Sequence, residues 1–240
     1  MRSLAFLSVL LFCVAISGYP QRVIHGDGSD VTVTRDIASF SGLHNSVSAQ
    51  VVVVRGDKYQ VKIEGENNVI EALVTEVRDG ALQIGFPGYS NIRMTRRLHI
   101  TVTTPGELSE VANSGSGGIR SDDVFKSASM RVRNSGSGAI AIGLDAGQLD
   151  LSMSGSGNIE VKGHAKQLNC NVSGSGSIRG SDLAVEEHSQ IHVSGSGSCT
   201  ITTNGVIDGR ISGSGGINYG GNPSTVNVSH SGSGRAHRIS

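Results

Sequence analysis

From Leu149 to Val161 the chain reads LDLSMSGSGNIEV, and the residues fall into two classes by parity. One parity collects Leu149, Leu151, Met153, Gly155, Gly157, Ile159 and Val161; the other holds Asp150, Ser152, Ser154, Ser156, Asn158 and Glu160. The same phase recurs with Leu168, Cys170, Val172, Gly174, Gly176 and Ile178, and again with Ile191, Val193, Gly195, Gly197, Cys199 and Ile201. Alternation at period two predicts strands with one buried face.

The tetrapeptide SGSG opens at Ser114, Ser135, Ser154, Ser173, Ser194, Ser212 and Ser231, at gaps of 21, 19, 19, 21, 18 and 19 residues. A flexible linker has no reason to keep such a period. A unit of about 20 residues cannot bury its apolar face alone, so successive units must stack and share a core. Parallel stacking gives a β-helix of about seven coils, roughly 30 Å long at the usual strand spacing. SGSG is then a repeated corner or flattened strand. Its glycines, at inward parity, let the backbone bend and approach the interior. Its serines fall in register, where their hydroxyls are expected to bond one another or the backbone. Hydrophobic residues flank every copy, which argues against a disordered tract. One continuous alternating phase through each copy argues against a sandwich built on chain-reversing turns.

Before Ser114 the pattern changes. SAQVVVVRGDKYQVKIEG predicts two strands across a turn at Gly56 and Asp57, and GALQIGF and RRLHITVTTP predict further strands. Between them NNVIEALVTEV predicts one or two helical turns, opened by Asn67 or Asn68 as N-cap. Residues 19–107 are expected to supply the first coils and a β-rich cap, and residues 108–240 the repeat, within one domain spanning 19–240.

These stretches together resemble a known family. FSGLHNSVSAQVVVVRGDKYQVKIEGENNVIEALVTEVRDGALQI, then LHITVTTPGELSEVANSGSGGI, the repeated SGSGNI and SGSGSI, and SGSGGINYGGNPSTVNVSHSGSG look like the putative auto-transporter adhesin, head GIN domain family, from Ser39 to about Ala236. The resemblance implies an exported bacterial domain, all-β, with a right-handed parallel β-helix fold. It implies little about activity, since adhesion is attached to the family by analogy.

Residues 1–18 read as a secretory signal peptide. Arg2 supplies the positive start, Leu4–Ile16 is an apolar run too short to span a bilayer, and Ala15 and Ser17 place small residues before cleavage at Gly18 or one residue on. Cys13 follows the bulky Phe12, which does not suit a lipoprotein processing site. No later segment reaches 18 consecutive apolar residues, so stable membrane insertion is not expected. Lys and Arg number 20 and so do Asp and Glu, which removes the basic footprint of a nucleic-acid binder. Cys170 and Cys199 lie on opposite sides of their SGSG elements in neighbouring repeats. Two small buried hydrophobes are the expected reading, since a disulfide needs Cα atoms within about 7 Å.

Catalytic chemistry is sought next, because β-helices host polysaccharide lyases and hydrolases, which need clustered carboxylates on one face. Counting back four residues from each SGSG gives Glu110, Arg131, Asp150, Asn169 and Gln190, with no paired acids. Asp122 with Asp123, and Glu186 with Glu187, read as solvated loop charges. His188 and His192 share strand parity at about 13 Å, too far apart to hold one metal. The repeats lack the aspartate of calcium-binding nonapeptides. The tripeptide at Arg55, Gly56 and Asp57 reads as turn chemistry before an integrin motif. No catalytic, cofactor-binding or metal residue is therefore assigned.

The sequence thus supports an exported, periplasmic, cell-surface or extracellular module. It is expected to be non-catalytic and to bind a protein or glycan of the envelope, or to associate with itself. A β-helix carbohydrate-active enzyme is the alternative.

Overall fold

The computed structural model describes residues 22–239; the expected leader at 1–18, with Cys13, lies outside the described residues. The strands are β1 Arg22–His25, β2 Val31–Asp36, β3 Gly42–Asn45, β4 Gln50–Arg55 and β5 Gln60–Gly65. Helix α1 is Asn67–Ala72, followed by β6 Val74–Arg78, β7 Ala81–Gly85, β8 Tyr89–Arg93, β9 His99–Thr104 and β10 Glu110–Asn113. The repeat supplies long bent strands: β11 Gly118–Asn134, β12 Ala139–Met153, β13 Asn158–Gly174 and β14 Ser177–Gly195. The last are β15 Ser198–Thr203, β16 Val206–Gly213, β17 Gly216–Gly220, β18 Thr225–Gly232 and β19 Arg235–Arg238.

From β10 onward each coil pairs in parallel with the next, as the repeat predicts, and the molecule is a β-solenoid. Glu110 faces Arg131, Arg131 faces Asp150, and Asp150 faces Asn169 in successive registers. Inward residues form apolar ladders: Leu43, Val111, Val132, Leu151, Cys170 and Ile191 on one wall, and Val51, Ile119, Ile140, Ile159, Ile178, Cys199 and Ile217 on the other. All of them are buried. Register slips between Arg120 and Val124, Glu160 and Gly163, and Gly180 and Ala184 turn a second corner.

The first coils are not laid down in chain order. β3 and β4 pair in parallel with β10 and β11 on one side and with β7 and β9 on the other. The chain therefore places residues 42–55 first, passes to the end of the stack, and returns across them 68 positions later, where Glu110 meets Gly42. This overturns the expected β4–β5 pairing across Gly56 and Asp57. β9 lies between those strands, parallel to β4 and antiparallel to β5. Two parallel valine-rich neighbours need a crossover, and the chain supplies one long enough to build the cap.

The cap changes strand direction. β5 and β2 continue the sheet antiparallel beyond β9, and β6 is antiparallel to β7. Helix α1 buries Val69 and Ile70, with Leu73 just beyond it. Its N-cap is Glu66, not Asn67 or Asn68, and VTEV continues as β6. The buried Glu66 carboxylate accepts from Gly28 N at 2.8 Å, Thr95 N at 3.0 Å, Thr95 Oγ1 at 2.7 Å and Arg96 N at 3.3 Å, so it ties two loops to the helix start. Arg35 donates to the Ile70 and Leu73 carbonyls, each at 2.7 Å, and so adds a charged partner at the helix end, where Leu73 N also reaches the Ile70 carbonyl at 3.2 Å. Among the described residues the opposite end is open: β18 and β19 pair there with β16 and β17 alone, and Val226 is exposed. There Arg235 Nη1 folds back on the Gly232 and Gly234 carbonyls at 3.1 and 2.7 Å, a charged guard on an edge strand.

The corner glycines serve coil-to-coil approach. A Cβ on Gly138 would lie 1.6 Å from the Gly117 carbonyl oxygen, and one on Gly157 2.1 Å from that of Gly138. The same contact recurs at 2.6, 2.4, 2.2 and 2.2 Å for Gly176, Gly197, Gly215 and Gly234. Only a residue without Cβ lets consecutive backbones stack so closely.

Candidate functional site

The site begins at the corner itself. In every SGSG copy the two serines are exposed and the second glycine is buried or nearly so. The residue before the first serine is in register from coil to coil, buried at Asn45, Asn113, Asn134, Met153, Val172, Val193 and Ile211 and exposed at His230 in the last coil. The first three are buried asparagines joined in a ladder, Asn45 Nδ2 to Asn113 Oδ1 at 2.9 Å and Asn113 Nδ2 to Asn134 Oδ1 at 3.2 Å. They also hold the bend. Asn134 Nδ2 donates to the Gly138 carbonyl at 2.7 Å, and its Oδ1 accepts from Gly136 N at 3.2 Å.

Asn45, Ser46, Val47, Ser48 and Ala49 therefore make one more corner of the same kind, with Val47 and Ala49 at the glycine positions. The SGSG spacing does not mark it; its signal in the sequence is an asparagine before two alternating serines. Two serine rows thus run along one face, from Ser46 and Ser48 through Ser114 and Ser116 to Ser231 and Ser233.

The expected mutual bonding of these hydroxyls is not what the structure shows. Among the described residues one inter-coil bond joins the rows, Ser116 Oγ to Ser48 Oγ at 3.0 Å, and Ser46 Oγ donates to the Ile84 carbonyl at 2.9 Å. At the remaining corners the hydroxyls point outward, because stacking is satisfied by the backbone: Gly176 N to Gly155 O at 3.0 Å, Gly197 N to Gly174 O at 2.9 Å.

At the capped end the segment from Gly85 to Leu98 stands over these rows and closes a groove of about 1090 Å³. Its floor is hydroxyl-rich, with Ser46, Ser48, Ser114, Ser135, Ser152 and Ser154. Its opposite wall carries Phe86, Ile92 and Met94, half-buried side chains that pack on the edge of the core. Glu76, Arg78, Asp79 and Arg133 supply charge at the rim, and Arg78 is ion-paired with Glu76. Below the groove Gln83 Nε2 lies 3.0 Å from His44 Nδ1, and His44 Nε2 lies 3.5 Å from Glu110 Oε1. Arg133 and Arg131 approach the same carboxylate at 3.3 and 3.8 Å. Such a volume suits a small molecule or an extended chain, with apolar surface on one side and hydrogen-bonding groups on the other.

The residues counted back from SGSG do form one column: Glu110, Arg131, Asp150, Asn169 and Gln190 are in register and continue to Asp208 and Asn227. Cations and amides separate the acids, and Asn169 and Asn227 donate to Asp150 and Asp208 at 3.1 and 3.0 Å. The acid pairs are solvated, as expected, but they lie on strands and not in loops, and each has a partner. Asp123 accepts from Arg55 N at 2.8 Å and Asp122 pairs with Arg120 at 2.9 Å, which holds the Asp122 carboxyl below its usual range. Glu186 meets His164 at 2.9 Å, with Asp145 on the other side of that ring at 3.4 Å, and Glu187 accepts from Gln167 at 3.0 Å. His188 and His192 go to separate partners: His188 Nε2 lies 2.8 Å from Asp208, lowering the aspartate pKa, while His192 is in register with Arg210. Arg55 lies over the Phe125 ring at 5.3 Å, and Gly56 N donates to the Thr104 carbonyl at 3.2 Å, so the tripeptide is tied into the first coils. Cys170 and Cys199 are both buried, as expected of two small core residues.

The comparisons agree with this architecture. The sequence model of the family described as putative auto-transporter adhesin, head GIN domain, matches residues 39–223. The crystal structure of a putative adhesin from Bacteroides fragilis NCTC 9343 is 21% identical and superposes with a TM-score of 0.84, over 90% of this chain and 100% of that one. A putative lipid binding protein from Parabacteroides distasonis ATCC 8503 is 26% identical, with a TM-score of 0.72 over 91% of this chain and 100% of its own. A putative adhesin from Parabacteroides merdae ATCC 43184 is 21% identical, also at 0.72, over 91% and 99%. No curated protein matches the chain.

Proposed function

The chain belongs to the putative auto-transporter adhesin, head GIN domain family, and on that premise we propose that it is an exported, non-catalytic binding module of the cell envelope or surface. Its ligand would be an envelope protein or glycan, received in the groove at the capped end and extended along the serine rows. One observation carries this reading: the serine hydroxyls lining the groove beyond Ser48 face solvent instead of bonding between coils, so their donors and acceptors are free for a partner. The absence of paired acids along the column from Glu110 to Asn227 supports binding over glycoside cleavage. Binding of the purified chain to envelope fractions should saturate and be competed by unlabelled protein. Linear, non-competable retention, or new reducing ends or unsaturated products in a glycan screen, would contradict it.

A second reading is favoured by Phe86, Ile92 and Met94. Three apolar side chains facing a hydroxyl floor suit an amphipathic ligand, and a Parabacteroides distasonis relative is described as a putative lipid binding protein. Retention on lipid vesicles that exceeds retention on glycan would select this reading.

A further inference from the structure

We propose that Cys170 and Cys199 are joined by a disulfide that crosses the middle of the solenoid core, an inference that rests on the exported reading above. Cys170 belongs to the wall ladder between Leu151 and Ile191, and Cys199 to the facing ladder between Ile178 and Ile217. In these two neighbouring coils a small residue replaces the branched aliphatics above and below it in each ladder, and the two sulfurs stand 2.9 Å apart with no exposure of either residue. They are the only two cysteines among the described residues. Closing the bond needs a movement of about one ångström, from this contact to a covalent S–S length.

The reaction is thiol–disulfide exchange with an external disulfide, a protein catalyst or oxidised glutathione. One cysteine, as thiolate, attacks a sulfur of that disulfide and expels one thiolate. The other cysteine then displaces the second, so two thiols become one S–S bond and the external disulfide becomes two thiols. In the folded chain the neighbouring Cys199 thiol and then burial push the Cys170 thiol well above its usual range, which leaves little reactive thiolate. Exchange therefore belongs to folding, before the later coils close over the pair.

The test uses the full chain refolded from denaturant with oxidised and reduced glutathione, then alkylated under denaturing conditions and weighed intact. The bond predicts that alkylation labels Cys13 alone and leaves Cys170 and Cys199 joined, about 2 Da lighter than two free thiols, with a melting temperature roughly 10 °C above that of the chain refolded in reductant. The Cys170→Ala, Cys199→Ala double variant should melt at one temperature in both buffers. Full alkylation of the chain refolded in the oxidising buffer would overturn the inference. Chain produced in bacteria with residues 1–18 retained separates the two claims. If it stays in the reducing cytoplasm with both core cysteines open to alkylation while the refolded chain is bonded, the bond stands and the exported reading fails.

Discussion

At Asn113 and Asn134 the serine-glycine corner leans on side-chain amides, whereas at Val172, Val193 and Ile211 the same four residues turn with no polar side chain behind them. The backbone compensates. The first glycine takes a left-handed φ of 125°, 103°, 112° and 115° at Gly174, Gly195, Gly213 and Gly232, while Gly115, Gly136 and Gly155 do not. The inter-coil bonds tighten as well: Gly117 to Val47 and Gly138 to Gly115 measure 3.2 and 3.3 Å, against 2.9 Å for Gly197 to Gly174, Gly215 to Gly195 and Gly234 to Gly213. One tetrapeptide is thus compatible with two internal supports, and the corner after Met153 stands between them: Gly155 is not left-handed, and Asn134 Nδ2 of the preceding coil reaches the Asn158 carbonyl at 3.2 Å. The amide-supported corners lie beneath the groove, joined there by the corner after Met153, so the floor of the candidate site is fixed by buried side chains and by the cap. The glycine-supported corners run out to an open end.

The sharpest way to break this comparison is to add a β-carbon where coils approach most closely. Gly138→Ala sets Cβ against the Gly117 carbonyl and the Asn113 amide together, with coils on both sides preventing retreat, and should cost about 3 kcal/mol or more. Gly234→Ala makes the same kind of contact in the last coil, which is free to shift, and should cost roughly half as much. Thermal melts of the two variants check this, and equal losses would mean that position along the stack does not matter.

Asn134→Val gives an early corner the residue of a later one. It leaves the Gly138 carbonyl, the Gly136 amide and the Asn113 side chain short of partners without supplying the left-handed glycine, and should lower stability by about 2 kcal/mol in denaturant unfolding. An unchanged midpoint would show that the asparagine ladder does not hold the corner.

The cap offers a smaller effect that depends on pH. Hydrogen bonding, first from Thr95, holds Glu66 below its usual value of 4.5. A carboxyl depressed in the folded state stabilises above the unfolded pKa, and that contribution is lost as pH falls through the lower folded value. Glu66→Gln should therefore melt earlier than the parent chain at neutral pH, with the difference shrinking below about pH 4.5. A difference independent of pH would assign the effect to packing alone.

Much of this was legible in the sequence, and the limits have physical causes. Period-two alternation and regular spacing give the stacked coils, because every long strand obeys a local rule. The in-register column from Glu110 to Gln190 follows from counting residues. The insertion of residues 42–55 between two later segments was not legible, since parallel pairing over 68 positions leaves no local trace and VVVVRGDKYQVKIEG has the pattern of an ordinary hairpin. The groove was hidden for the same reason: Phe86, Ile92 and Met94 meet Ser135 and Ser154 only through that crossover. The serine bonding was misjudged because period alone does not say whether side chain or backbone satisfies a corner.

The central claim is that the groove at the capped end, and not the open end, receives the partner. Ser135→Trp fills the groove floor, while Ser212→Trp places the same bulk at an equivalent exposed corner outside it. The direct measurement is the saturation isotherm of each variant on envelope fractions, taken with proteins whose melts match the parent chain. The account predicts at least a tenfold loss of affinity for Ser135→Trp and a parent-like isotherm for Ser212→Trp, since a large side chain excludes a ligand from a concave site and leaves a remote surface untouched. Equal loss in both variants, or loss in Ser212→Trp alone, would contradict it.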